Sequence, residues 1–489
     1  SFKVERLDVS PAFQLLADEA AKHIPEEAVA YTEVPPEQVR ELARLYATRT
    51  PAFIYTGFGI DRWDNGHLNG RGLATMAALT GNTGVSGATP AGTFGGGALF
   101  LAMDPAVIGP WLFPSGTYYS PLYYLLVYDA ITKGEVNMFH LADPANPLAG
   151  TTTAEPVPTP YPIKAAFLNT SNFISNFPNQ NKIEQELFSE DNLEFVVVAD
   201  MIPTDTTAYA DIILPVTHWF ENDDVVGGIH PFLLIQEKAL ESPYECKSDF
   251  EIFQLLAEEM GYGEYFQGTS KDYVDEIVAQ MAKVLGEAGA AAIDAFKEAG
   301  AVRLFPYPYV AFRDRQFMTP TGRMEFYAEK VIVNFPNTSP ATGIPVSMGV
   351  NPLPHFEPPA EAWPENPLYE KYPLVNYQEH SRWRVHSQWF GVPWLRELDP
   401  EPVVKLNPED AETRGLKTGD YAEVFNDRGH AVFKVIVTEG VRKGMVNTPK
   451  GWQRHQFKAG GYQELTADHK HPVHLNCSFF DTLVEVKKA

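Results

Sequence analysis

The loop Gly57-Phe58-Gly59-Ile60-Asp61-Arg62 combines residue types that suit an anionic or heteroaromatic ligand. Glycines let backbone amides approach a ligand closely. The Arg62 guanidinium can fork onto a phosphate or a ring carbonyl. The loop lacks the Gly-Lys-Ser/Thr of a phosphate-binding P-loop and the third glycine of a dinucleotide fingerprint, so a plain tight turn competes with the ligand reading. Gly81, Gly84 and Gly87 follow at every third position, and there a helix end and turn outrank ligand contact. Leu168-Asn169-Thr170-Ser171-Asn172 closes an apolar run, and small polar side chains at a strand's carboxyl end suit a sugar or phosphate. The next apolar run ends in Ala199-Asp200. That carboxylate can accept from ribose hydroxyls or from the N1–H and N2–H₂ edge of guanine; an N-cap or a solvated loop acid is the alternative. Thr204, Asp205, Thr206 and Thr207 can cap a helix or hold phosphate.

Further along, residues 378–387 gather His380, His386, Arg382, Arg384, Ser381 and Ser387 just after a strand-like segment. Two histidines six apart are a poor metal set without more ligands. The cluster suits many hydrogen bonds to a large, polar, anionic ligand, or else a solvated polar face. Lys450, Trp452, Gln453, His474 and Asn476 add polar and aromatic groups, although a lone tryptophan such as Trp452 more often packs in a core. Cys246 and Cys477 form no Cys-x-x-Cys pair, so this chain carries no iron–sulfur cluster or structural zinc by itself. No nucleophile elbow and no His-Glu-x-x-His occurs, and no acid–base pair can be assigned.

These residues need elements to position them. Pro35-Pro36-Glu37 opens a helical pattern with Val39, Leu42, Ala43 and Leu45 on one face. Ala52-Phe53-Ile54-Tyr55, Ala165-Ala166-Phe167-Leu168 and Phe195-Val196-Val197-Val198 read as buried strands. Ser248 and Glu251 form a capping box for a helix ending at Gly261. This alternation predicts an open, mostly parallel, Rossmann-like α/β sheet. Prolines 156, 158, 160 and 162 mark one connector, and a second proline-rich run from Pro345 to Pro367 is long enough to link domains. Beyond it, 421–424 and 431–437 alternate as half-buried strands around an Asn-Asp-Arg-Gly turn. Asn407, Pro408 and Gly415 bracket a short helix, and the whole reads as a small β-barrel. With 38 basic and 63 acidic residues the formal charge is −25, which repels a nucleic-acid backbone. No apolar run is long enough to span a membrane, and the first residues carry no secretory signal.

Taken in order, the motifs resemble the molybdopterin oxidoreductases of the dimethyl sulfoxide reductase family. Residues 56–87 look like that family's GxGxxR loop and LTGNxGxxG stretch. Ala210-Asp211-Ile212-Ile213-Leu214-Pro215 with Glu221 matches its ADxxLP…E motif, the most specific of the set. Residues 319–326 look like its TPTGKxEF segment, and Asn407 through Asp420 resembles NPxDAxxxGIxxGD. Leu475-Asn476 through Val486 also fits. The resemblance covers nearly the whole chain.

The resemblance implies a bis-molybdopterin guanine dinucleotide with molybdenum or tungsten, held between α/β domains and capped by a C-terminal barrel. It implies two-electron chemistry or oxygen-atom transfer on a small-molecule substrate. Gly57, Gly59 and Arg62 would meet the pterin or its phosphates. Asn169, Asn172, Asp200 and Thr204 would hold one guanosine; His386, Ser387, Trp452 and Asn476 would contact the pterin from the cap. The expected division is 1–60 as the tail of one α/β domain and 61–340 as the guanosine-binding α/β domain. The linker would be 341–370 and the barrel cap 371–489. The metal's ligand residue and any iron–sulfur cluster are expected upstream of this chain. The chain is thus expected to be a catalytically incomplete C-terminal portion that could lack bound cofactor. An iron–sulfur electron-transfer protein is the implied partner, and export or cell-envelope association is plausible for the full-length protein. The 380–387 cluster resembles members that reduce or dehydroxylate aromatic, catechol-like substrates. The competing readings are a degenerate, non-catalytic relative or scaffold subunit, and an unrelated sugar-nucleotide enzyme.

Overall fold

Three apolar runs and one capping box organise the first half of the molecule. The computed structural model describes residues 2–4, 7–88, 124–136, 157–158, 162–227, 232–285, 298–303, 310–317, 321–328, 330–333, 344–347, 351–469 and 477–489. Helix α1 is Pro36–Thr48, with proline at its first turn as expected. Its apolar face nevertheless stays open, and Leu42 is 69% exposed. Helix α2, Gly66–Leu79, ends in an irregular loop where Gly81, Gly84 and Gly87 adopt φ values of 72°, 75° and 80°. At Gly84 a Cβ would lie 2.4 Å from the Phe312 carbonyl oxygen, so no side chain fits.

The strand expected over 52–55 does not form: this stretch belongs to no sheet among the described residues. The Ala52 amide donates to the Asn82 side chain at 2.8 Å, and Tyr55 is 87% exposed.

Strands β1 (Ala165–Asn169), β2 (Phe195–Asp200) and β3 (Ile212–Pro215) form a parallel sheet in the order β1-β2-β3. Val196 and Val198 point into a core with Phe173, Ile174, Phe177, Ile183 and Leu187, and Cys477 packs into the same core. Helix α3 (Phe173–Asn176) follows β1. Helix α4 (Asp249–Glu259) has the predicted box: Ser248 Oγ accepts from the Glu251 amide at 3.2 Å, and Glu251 accepts from the Ser248 amide at 2.8 Å. Among the described residues of the first half, the parallel strand pairs are β1–β2 and β2–β3, with one further parallel bridge between Val216 and Lys247. Asp224–Gly227, Phe232–Gln236 and Ala301–Arg303 pair antiparallel, so the architecture is mixed α/β.

The second half is a closed six-stranded barrel, as its alternating pattern predicts. Its elements are β4 (Leu374–Tyr377), β5 (Val403–Leu406), helix α5 (Pro408–Thr413), β6 (Tyr421–Phe425), β7 (His430–Val437), β8 (Met445–Asn447) and β9 (Leu483–Lys488). The order is β4-β8-β5-β7-β6-β9, with parallel pairing at β4–β8 and β5–β7. Val404, Leu406, Ala422, Val424, Phe433, Val435 and Val446 fill the interior.

The proline-rich stretch is extended but tied down. Residues 344–347 pair with 330–333. Asp481 accepts from the amides of Ala360, Glu361 and Ala362 at 2.8, 3.0 and 2.6 Å. Among the described residues no helix is long and apolar enough to cross a membrane.

Candidate functional site

The carboxyl ends of β1 and β2 lie side by side because the strands run parallel in register, Asn169 opposite Ala199. Asn169, Asn172, Asp200 and Thr204 therefore share one sheet edge. Asn172 is buried; its Oδ1 accepts from the Thr206 hydroxyl at 3.1 Å, while its Nδ2 has no hydrogen-bond partner among the described residues. Thr204 Oγ1 is buried and open in the same way. Burial pushes the Asp200 carboxyl up, against the backbone amides of Met201 and Ile202 that favour its charge.

A polar seam joins this edge to the barrel. The loop after β2 reaches the barrel segment 451–456: the Asp205 amide donates to Gln453 Oε1 at 2.8 Å, and Asp205 Oδ2 accepts from the Arg454 amide at 2.7 Å. Ser175 in α3 donates to Asp205 at 2.5 Å, and the Tyr462 hydroxyl donates to the Ser175 carbonyl at 2.9 Å. Arg454 pairs with Glu184 on one side and with Glu464, at 2.8 Å, on the other. Lys182 and Asp468 add an ion pair at 2.7 Å.

Cations gather at one end of the seam. Lys450 is pushed down to about 8, first by burial and then by Arg62. His386 keeps contact with solvent, yet partial desolvation, Lys450, His380 and Arg62 hold it at about 4. Its ring meets His380 edge-on with centroids 4.9 Å apart. Arg62 and Lys450, with the two histidines beside them, form a locally basic patch in a chain of net charge −25. Ser387 accepts from Asn176 at 3.4 Å, which links this end to α3. The loop is backbone-determined: His386 and Trp389 adopt φ values of 50° and 62°, and a Cβ on Gly451 would sit 1.9 Å from the His386 carbonyl oxygen.

The predicted residues divide accordingly. The structure brings Asn169, Asn172, Asp200 and Thr204 together, and sets Arg62 beside His386. Gly57 caps the short helix Phe58–Asp61 and has open space where its Cβ would be; at Gly59 a Cβ would lie 3.2 Å from Phe480. Gly59 thus serves packing as well as access. Trp452 is 1% exposed in the barrel core, with the Arg384 guanidinium 3.7 Å from its ring centroid, and its indole Nε1 is buried without a hydrogen-bond partner among the described residues. Asn476 lies outside the described residues.

Sequence reasoning noted Lys450 and Gln453 without giving either a role, and it passed over Asn376 and Asn447. Asn376 Nδ2 and both amide atoms of Asn447 are buried without partners among the described residues. The signal available was a carboxamide at an inward position of a strand, at Asn376 in β4 and Asn447 in β8.

Known proteins agree with this division into a sheet edge and a barrel. The profile of the molybdopterin oxidoreductase family matches residues 12–259. The chain belongs to that family. A second profile, described as "Molydopterin dinucleotide binding domain", matches residues 374–483, which is the barrel. A protein of Halobacterium salinarum described as a putative dimethyl sulfoxide reductase catalytic subunit is 33% identical, over 96% of this chain and 51% of that protein. Dimethyl sulfoxide reductase DmsA of Escherichia coli is 27% identical, over 95% of this chain and 57% of its own length. The chain spans about half the length of the curated relatives it matches. Acetylene hydratase from Pelobacter acetylenicus shares the fold, with a TM-score of 0.68 and 20% identity over 98% of this chain and 66% of that one.

The residues present fit a molybdopterin dinucleotide. Such a group offers phosphates to Arg62 and Lys450, and ring donors and acceptors to buried side chains that lack them. Such atoms include Asn172 Nδ2, Thr204 Oγ1, Gln453 Nε2, Trp452 Nε1, Asn376 Nδ2 and both of Asn447. Buried polar groups without partners are uncommon in native proteins, and the ones named here follow β1 and β2 or belong to the barrel.

Proposed function

We propose that this chain supplies the dinucleotide-holding portion of a molybdenum or tungsten bis-molybdopterin guanine dinucleotide oxidoreductase. The observation that carries the reading is the set of unpartnered buried donors and acceptors at the strand ends and in the barrel, beside the basic patch of Arg62 and Lys450. In this reading Asn169, Asn172, Asp200 and Thr204 hold a guanosine, and Arg62 with Lys450 draws a phosphate or pterin carbonyl. His386 and Ser387 approach the pterin from the barrel. The bound group supplies two-electron or oxygen-atom transfer at its metal. The chain's own residues bind and orient it, and the barrel excludes water from its buried end. Residues 61–340 form the guanosine-holding α/β portion and 371–489 the cap, joined by 341–370.

The metal's protein ligand, any iron–sulfur cluster and an iron–sulfur partner protein are proposed to lie outside this chain. An aromatic substrate is favoured by one observation: Trp383 and Trp389 are exposed on the same loop segment that carries His380 and His386. The reading is tested on the full-length protein by mass-spectrometric assay of molybdenum and tungsten, and of GMP released by acid hydrolysis. Metal and GMP near stoichiometric amounts are expected. Their joint absence would favour a degenerate, non-catalytic relative. A substrate panel in which only inorganic oxyanions turn over would remove the aromatic assignment.

A further inference from the structure

Gln453 is 0% exposed at the seam, and its side-chain oxygen is held in place. The Asp205 amide donates to Oε1 at 2.8 Å, and the Ser175 hydroxyl lies 3.3 Å from it. A backbone N–H can only donate, so the amide oxygen must face Asp205 and the amino group must face elsewhere. That Nε2 is buried without a hydrogen-bond partner among the described residues. Asn172, 7% exposed, is in the same state through its Nδ2. The two side chains are joined through one stretch of chain: Asn172 holds Thr206, and Gln453 holds the neighbouring Asp205. One open amino group therefore belongs to the α/β part and the other to the barrel.

The chemistry of the missing partner can be narrowed. Two carboxamide amino groups call for acceptors. Asp200 at the same edge and Asp205 within the knot are acidic, and burial already disfavours their charge. A bare phosphate between them would be repelled. A neutral ring that carries carbonyl and ring-nitrogen acceptors on one side and N–H donors on another satisfies both the amides and Asp200. Guanine has this distribution; adenine lacks the carbonyl.

We propose that Gln453 is a positioning residue through which the barrel closes the guanine end of the nucleotide site. Its Oε1 locks the loop at Asp205, and its Nε2 shares the base's acceptors with Asn172 Nδ2. The nucleotide then ties the barrel to the sheet, so binding rigidifies both sides of the seam. This inference rests on the nucleotide-binding reading above.

The test uses the full-length protein freed of bound cofactor, with GMP as probe and AMP as control, followed by calorimetry and amide hydrogen exchange, so that the wild-type chain is read in its whole protein. GMP is expected to bind in preference to AMP and to slow exchange at both 202–206 and 451–456. Gln453→Glu keeps the acceptor for Asp205 and Ser175 but removes the donor. Its GMP affinity should fall about tenfold, the equivalent of one lost hydrogen bond, with loss of protection at 451–456. Asn172→Asp should weaken GMP to a similar degree. Protection confined to 202–206 in the wild type would overturn the proposal while leaving the nucleotide reading intact, and this arm needs no variant. Unchanged GMP affinity in Gln453→Glu would do the same. No GMP binding by the wild-type chain would remove the nucleotide reading and this inference with it.

Discussion

Arg428→Met should cost about 3 kcal/mol of stability, although it touches no proposed ligand contact. Arg428 grips Glu361 through both terminal nitrogens, at 2.7 and 2.8 Å, and its Nε donates to the Leu465 carbonyl at 2.9 Å. The Glu361 side chain is only 4% exposed and also accepts from the Leu483 amide at 2.7 Å. Breaking a buried pair by removing one partner costs about 3–5 kcal/mol. The lower end applies here because His469, 3.5 Å away, and the Leu483 amide stay with the orphaned carboxylate. The titration of Glu361 leads to a similar size. Burial alone would raise this carboxyl, but hydrogen bonds from His469 and Arg428 outweigh it and hold it at about 2 rather than 4.5. That difference corresponds to about 3 kcal/mol favouring the ionised native form. The contribution is complete above the unfolded value and fades as pH falls from 4.5 towards 2. Urea unfolding followed by tryptophan fluorescence, at pH 7 and through the acid range, reads both effects. The variant should be less stable at pH 7 and lose less stability on acidification than the wild type. A loss under about 1 kcal/mol with an unchanged acid limb would refute the assignment of Glu361 and Arg428 as the clasp that holds the proline-rich stretch to the barrel.

Three further outcomes follow from the site. Gly451→Ala forces a Cβ to 1.9 Å from the His386 carbonyl at a φ of 99°; a loss of about 2–4 kcal/mol is expected in denaturant unfolding, with changed environments for His380 and His386 in NMR spectra. Asn447→Leu removes two buried unpartnered atoms, so the ligand-free chain should be as stable as the wild type or more so in thermal unfolding, while the full-length protein retains less released GMP and metal. Lys450→Met removes a cation that presses on His386, so the histidine should titrate above its present value of about 4 by NMR; an unmoved histidine would place Lys450 elsewhere.

The fold was legible where local chemistry and tertiary packing coincide. Ser248 and Glu251 cap a helix whatever surrounds them, and the alternation in β6 and β7 survives because one face of each is inside the barrel. Residues 52–55 have equally good strand composition and form none. A strand is completed by a neighbour's ladder; among the described residues this run joins no sheet, and the Ala52 amide donates to the Asn82 side chain. The open face of α1 carries the same lesson: periodicity identifies an apolar stripe, but not what covers it.

The site was legible at the strand ends and obscure at the barrel, for a physical reason. Parallel strands must deliver their last residues to one edge, so Asn169 and Asp200 could be paired on paper from the ends of two apolar runs. Trp452 and Gln453 are neighbours in sequence, and both bury a side-chain N–H without a partner among the described residues. The tryptophan drew attention as a large ring, which Arg384 and the barrel core pack against. The glutamine looked ordinary, since most glutamines are solvated. Its significance lies in being fully buried with one end satisfied and the other not, and that depends on Asp205, 248 residues away. Composition cannot signal an unmet hydrogen bond, because the deficit appears only after the chain has chosen all its other partners. Such deficits are costly in the ligand-free state, so the carboxamides that bear them, at Asn172, Gln453, Asn376 and Asn447, argue for a ligand that removes the cost.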